Sequence, residues 1–414
     1  MQGGLNHNAL AYETLQQAAS VLRRHERVRA GQLLQIEGEA ALQLSLLDRP
    51  GEAVERLYRI LPGLAAFYGP ESWEVVLHQA MLAGAYSDLD QHAEAAALVT
   101  QITPKLDHAD AAHALNAVEL RIQLGYAAWN ARKRSAAEDL LGRAIADADR
   151  LLGPVNSLSV EAQRTLGLVF TSGGRFEESA RTLRDSVDRA QTLGGEDFAP
   201  TRFAESFAVI ALVMTGKIDE ARAMAERSVK DAAKVEGLTP STIRGFTRRL
   251  GLGLLYVDAV KATQVLEDVL AQEQRAGADK GGAHGTTLLY LAGAHARAGH
   301  HAAAAEAARQ AALAFAEGPP NYAALAHSKL TEALARARLH QAAEAESLIG
   351  EARALLARIE EPNQTDPLFV ELVEAERLRR AGQIAEAERI ELPARERLRA
   401  IGGISQPPEL ALVL

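Results

Sequence analysis

A small residue recurs at almost constant intervals along the chain, at Ala53, Ala95, Ala137, Ser179, Ala221, Ala262, Ala304, Ala343 and Ala387, with steps of 42, 42, 42, 42, 41, 42, 39 and 44. A period of this length marks a stacked array, in which each unit buries its apolar face against its neighbours and no single globular core is needed. Five residues before the anchor stands a turn residue: Gly174, Gly216, Gly299 and Gly382 in four units, Asp48 and Asp90 in two more. Glycine takes up the positive φ that ends one helix, and aspartate caps the next. Four residues after the anchor an apolar residue usually follows, as at Leu57, Val99, Leu141, Leu183 and Leu266, one turn along the same helical face. Upstream, the small residues Ala41, Ala83, Gly125, Gly167, Ala292 and Ala375 let two helices approach closely. Each unit reads as helix, tight turn, helix. The stretch "SGGRFEESARTL" is such an elbow: Gly174 ends a helix, Phe176 covers the turn, Ser179 is the anchor and Leu183 continues the buried face.

Composition agrees with an all-α array. Hydrophobic residues make up 48% of the 414 residues but aromatics only 5%, so the apolar content is mostly alanine and leucine, which suits close helix packing. Pro70, Pro154, Pro200, Pro240, Pro319 and Pro367 each fall just before a new first helix, where the missing N–H costs nothing. Pro393 is the exception: it is expected to interrupt the second helix of a degenerate closing unit, where Glu391 also replaces the usual apolar residue. The turn "YVDAVKA" before Ala262 lacks glycine and is one residue short, and "RAGADKGGAHGTT" predicts a loop and hinge over residues 274–286.

The segments "LGYAAWNARKRSAAEDLLGRA", "LGLVFTSGGRFEESARTLRDS" and "AGQIAEAERI" resemble tetratricopeptide repeats. The 42-residue step with "YGPES" and "LLGPVNS" at the joints is similar to the kinesin light chain type, over roughly residues 29 to 400. The resemblance implies a right-handed α-solenoid of about nine helix-turn-helix repeats. Its expected layout is an amino-terminal helical cap (1–28), repeats 1–6 (29–273), the loop (274–286), repeats 7–9 (287–400) and a tail (401–414). The first segment, "LQQAASVLRRHERVRAGQLLQIEGEAALQLSLLDRPGEAVERL", resembles the start of the repeat region that follows a kinase or winged-helix domain in large bacterial regulators. Neither effector domain is recognisable here, so the chain reads as a stand-alone protein or as the carboxy-terminal part of a longer one.

Little in the sequence points to catalysis. "GADKGGAHG" lacks the spacing and the preceding strand of a phosphate-binding loop. His300 and His301, with His295 nearby, lack further ligands in a metal-binding pattern and read as solvated turn residues. A paired-carboxylate sugar site would need aromatic platforms, and the chain has two tryptophans. No enzyme activity and no cofactor is expected. The net charge of −9 comes with interspersed basic residues, so nucleic acid is an unexpected partner. The sequence contains neither a secretory signal nor a cysteine, and no apolar run reaches the ~18 residues of a membrane span, so a cytoplasmic location is expected.

In the resembled fold the first helices line the concave face. Helical spacing then turns Tyr126, Trp129, Asn130, Arg164, Phe203, Phe207, Arg248, Arg249, Tyr290, Arg297 and Lys329 inward, together with Met214. Aromatics and arginines are what peptide-binding hot spots favour. The expected role is a scaffold that takes an acidic and apolar protein segment in this groove. Two other roles fit the sequence: the regulatory region of a bacterial transcriptional regulator or Ser/Thr kinase, and self-association through terminal repeats, where the tail "ELALVL" adds apolar surface.

Overall fold

A computed structural model of the chain describes every residue except 1–2, 24–25, 47–48, 90, 237, 318–320, 360–362 and 402–414. The readings made at Asp48, Asp90, Pro319 and the apolar tail lie outside the described residues. Among the described residues the structure is all-α. After α1 (Gly3–Arg23) come nine helix pairs: α2 (Glu26–Leu46) with α3 (Pro50–Tyr68), α4 (Trp73–Asp88) with α5 (His92–Leu106), α6 (Ala114–Asn130) with α7 (Arg134–Leu152), and α8 (Ser157–Ser172) with α9 (Phe176–Gly194). They continue with α10 (Ala199–Met214) and α11 (Ile218–Val229), α12 (Pro240–Leu254) and α13 (Ala259–Arg275), α14 (Gly281–Arg297) and α15 (His301–Ala316), α16 (Tyr322–Arg338) and α17 (Ala342–Leu356), and α18 (Asp366–Arg380) and α19 (Ile384–Ala400). The chain forms two compact units, 1–166 and 167–414, with the boundary inside α8.

Every second helix begins three residues before a small residue that solvent does not reach: Ala53, Ala95, Ala137, Ser179, Ala221, Ala262, Ala304, Ala345 and Ala387. The eighth anchor is therefore Ala345. Ala343, expected from sequence, is exposed two residues earlier, and the correction brings the last two steps to 41 and 42. The one polar anchor is satisfied, because the Ser179 hydroxyl donates to the Gly167 carbonyl at 2.7 Å.

The turns explain themselves through backbone geometry. Gly174, Gly216, Gly299 and Gly382 have φ of 77°, 75°, 80° and 81°, and Arg132 and His340 hold the same slot at 61° each. A side chain in this region costs roughly 1 kcal/mol. Since His340 is exposed, His340→Gly should stabilise the second unit by about 1 kcal/mol, read as a shift of the urea midpoint at unchanged slope. No shift would show that the turn is not strained.

Three expectations need correcting. Residues 274–286 are mostly helical, with only 276–280 between α13 and α14. The buried Glu273 pins the joint, with His284 Nδ1 2.8 Å from its Oε2 and the Thr287 hydroxyl donating to its Oε1 at 2.7 Å. Secondly, α19 runs unbroken through Pro393. The proline is exposed, so water can satisfy the carbonyl that loses its partner. Glu391 on that helix is held by Arg395 at 2.7 Å and by Arg379, which lets an acid stand where an apolar residue was expected. Thirdly, Pro62 in α3 and Pro104 in α5 also lie inside helices, so Pro393 is not the exception it was expected to be, while Pro70, Pro154, Pro200, Pro240 and Pro367 do stand at the starts of first helices or just before them.

Candidate partner-binding site

First helices pack on one another as well as on their partners: α4 on α2 and α6 in the first unit, and α10, α12, α14, α16 and α18 in succession in the second. They form a continuous row in each unit, and the sequence-derived candidates other than Arg164, which is on α8, are carried on these helices.

In the first unit Tyr126 is 42% exposed, and its ring centroid lies 5.8 Å from that of half-buried Trp129. The Asn130 amide donates to the Ser87 hydroxyl at 2.7 Å, which ties it to α4. Arg164 lies 3.8 Å from Glu161. Desolvation lowers the pKa of its guanidinium from the usual value, while Glu161 and Tyr126 act in the opposite sense.

In the second unit the candidates separate by environment. Phe203 and Phe207 are half-buried one turn apart on α10, with stacked rings 6.5 Å apart, and Phe203 meets the buried Phe246 edge-on at 5.3 Å. Arg249 crosses from α12 and lays its guanidinium 4.1 Å from the centre of the Phe207 ring, donating to the Ser206 hydroxyl at 3.1 Å. A cation held over an aromatic face keeps its outward N–H groups in the planar fork that suits a carboxylate. Arg297 stands 5.5 Å over Tyr256 in a looser version of the same pairing.

The other candidates are engaged elsewhere. Arg248, next to Arg249 in sequence, turns to the α13–α14 joint, where its Nη2 donates to Glu273 Oε1 at 3.0 Å and its Nε to the Thr287 hydroxyl at 2.7 Å. Lys329 pairs with Glu351 at 2.9 Å. Tyr290 is buried in the α12–α14 core, and desolvation raises its phenol pKa despite the opposing charges of Arg249 and Arg248. Met214 is buried as well. The structure thus brings together Phe203, Phe207 and Arg249, and adds Ser206 and Phe246, which the sequence reading missed. Phe246 had a usable signal, since it stands three residues, about one turn, before the candidate Arg249 on the same helix.

No protein-family model and no curated protein matches the sequence. Solved structures do match. A Rap protein complexed with Competence and Sporulation Factor aligns over 90% of this chain and 99% of its own at 14% identity, with a TM-score of 0.61. The apo form of RapI aligns over 68% of this chain and 99% of its own at 14% identity, TM-score 0.50. A kinesin light chain nearly identical repeat protein of Podosopora anserina aligns over 50% of this chain and 97% of its own at 17% identity, TM-score 0.40. The chain has the fold of the tetratricopeptide-type repeat proteins.

Proposed function

We propose that this chain is a non-catalytic interaction scaffold whose second unit takes a protein segment carrying acidic and apolar residues on its inner row. The observation that carries this reading is the Arg249 guanidinium stacked on half-buried Phe207, with Phe203 beside it. An apolar side chain would lie on the rings while a carboxylate meets the guanidinium. The Rap structure supports the reading in kind, because a chain of the same fold was solved in complex with a factor. The first-unit cluster of Tyr126, Trp129 and Arg164 has the same chemistry and would hold a second stretch of a longer partner.

The test is an array of random twelve-residue peptides that contain aspartate or glutamate and leucine or phenylalanine, probed with the full chain. Peptides captured by the wild type should bind Arg249→Glu at least tenfold more weakly, since a charge-assisted contact becomes a repulsion. Helicity by circular dichroism should stay unchanged. Equal capture by the variant, or no peptide above background, rules the reading out.

A further inference from the structure

Nine residues open the second helices: Pro50, His92, Arg134, Phe176, Ile218, Ala259, His301, Ala342 and Ile384. Ile384 is 47% exposed there, and Phe176 alone of the nine is buried, at 2%. The turn glycines repeat the contrast. Gly216, Gly299 and Gly382 have open space where a Cβ would stand, whereas one on Gly174 would come within 2.4 Å of Asn363 Oδ1 and 2.9 Å of Gln364 Cγ. What covers the fourth elbow comes from 190 residues along the chain, for Gln364 Nε2 donates to the Gly174 carbonyl at 2.8 Å. Phe176 and Met214 also belong to one buried cluster with Leu330, Leu334 and Leu368 of α16 and α18.

All these residues lie in the second unit, whose inner helices α10 to α18 pack in succession. A contact from the loop before α18 back to the elbow between α8 and α9 closes that row on itself. We propose that this contact is a clasp, which opens and closes the ring of repeats and so gives the inner face of the second unit two states. Successive repeats share faces that run the length of a helix, while the clasp sets residues 363–365 on one elbow and seats two side chains, Phe176 and Met214, in the cluster of Leu330, Leu334 and Leu368. Contacts of small extent open before extended ones. A solenoid released from such a contact keeps only nearest-neighbour interfaces, and its curvature is then free to change. Residues 363–366 are tied to one another and to α16: Asn363 Oδ1 accepts from the Thr365 N–H at 2.9 Å and from its hydroxyl at 2.7 Å, and buried Asp366 lies 2.9 Å from His327 Nε2.

The two glycines at φ +77° and +75°, Gly174 and Gly216, supply the test, because alanine strains both turns alike and only Gly174 faces the clasp. Amide hydrogen exchange would be followed on the full chain. Gly174→Ala should speed exchange at residues 172–176 and at 363–369 together, by about tenfold at each. Gly216→Ala should speed only its own turn. Gln364→Ala removes one exposed side chain without strain and should move both segments by about fivefold. If residues 363–369 stay unchanged in Gly174→Ala and Gln364→Ala, or move equally in Gly216→Ala, the clasp does not exist. These readouts need no ligand, so their outcome is independent of the peptide-binding experiment.

Discussion

Gly167→Val should lower the stability of the second unit by about 3 kcal/mol, which for a unit of this size is a fall of roughly 6–12 °C in melting temperature. A Cβ at position 167 would stand 2.4 Å from Leu183 Cγ and 2.7 Å from its Cδ2. Leu183 is fully buried and has nowhere to move. Gly125 meets Leu141 and Gly251 meets Leu266 in the same way, at 2.7 Å and 2.6 Å. The array also holds the reverse arrangement. At the equivalent positions of the next repeat stand Val209 and Ala225, both fully buried. Adding Leu183→Ala to Gly167→Val should therefore recover most of the loss, a coupling of about 2 kcal/mol between the two sites. Thermal unfolding of the two single variants and the double variant decides the matter, and simple additivity would mean that shape matching at this pair does not set the helix spacing.

Arg248→Ala is expected to cost about 3 kcal/mol, because Glu273 is 2% exposed and would lose its cationic partner while keeping its burial. Arg249→Ala, one residue away, should cost less, about 1 kcal/mol, since the ring contact and the hydrogen bonds to the Ser206 hydroxyl and the Gly245 carbonyl are lost at a half-buried position and strand no buried charge. Urea unfolding of the two variants side by side gives the comparison. Equal and small losses would show that the network of Arg248, Glu273, Thr287 and His284 does not hold the joint between α13 and α14. The difference also matters for binding experiments, because a charge reversal at Arg248 would disturb the fold and the inner face together.

The repeat, the helix pairs and the anchors were legible because each depends on residues within one or two helical turns. Gly174, Ser179 and Leu183 meet in any chain that makes this elbow, whatever lies elsewhere. Where local signals misled, a partner from another element had intervened. Residues 274–286 looked like a loop by their glycines, yet Glu273 draws His284 and Thr287 into a helix. Glu391 looked misplaced until Arg379 and Arg395 met it. The candidate site was legible to the same extent: helical spacing assigned twelve side chains to one face, but Arg248 and Arg249 share almost the same spacing and differ only in what the neighbouring helices offer them.

The sequence alone determined a tetratricopeptide-type array, its period and its close helix contacts, because nearest-neighbour packing leaves a periodic trace in the chain. Which arginine pairs with Glu273 and which lies over Phe207, and that Phe176 is buried in one cluster with residues of α16 and α18, only the tertiary structure decided. Those outcomes depend on the small rotation between successive repeats, summed over several of them, and no local pattern of residues records that sum.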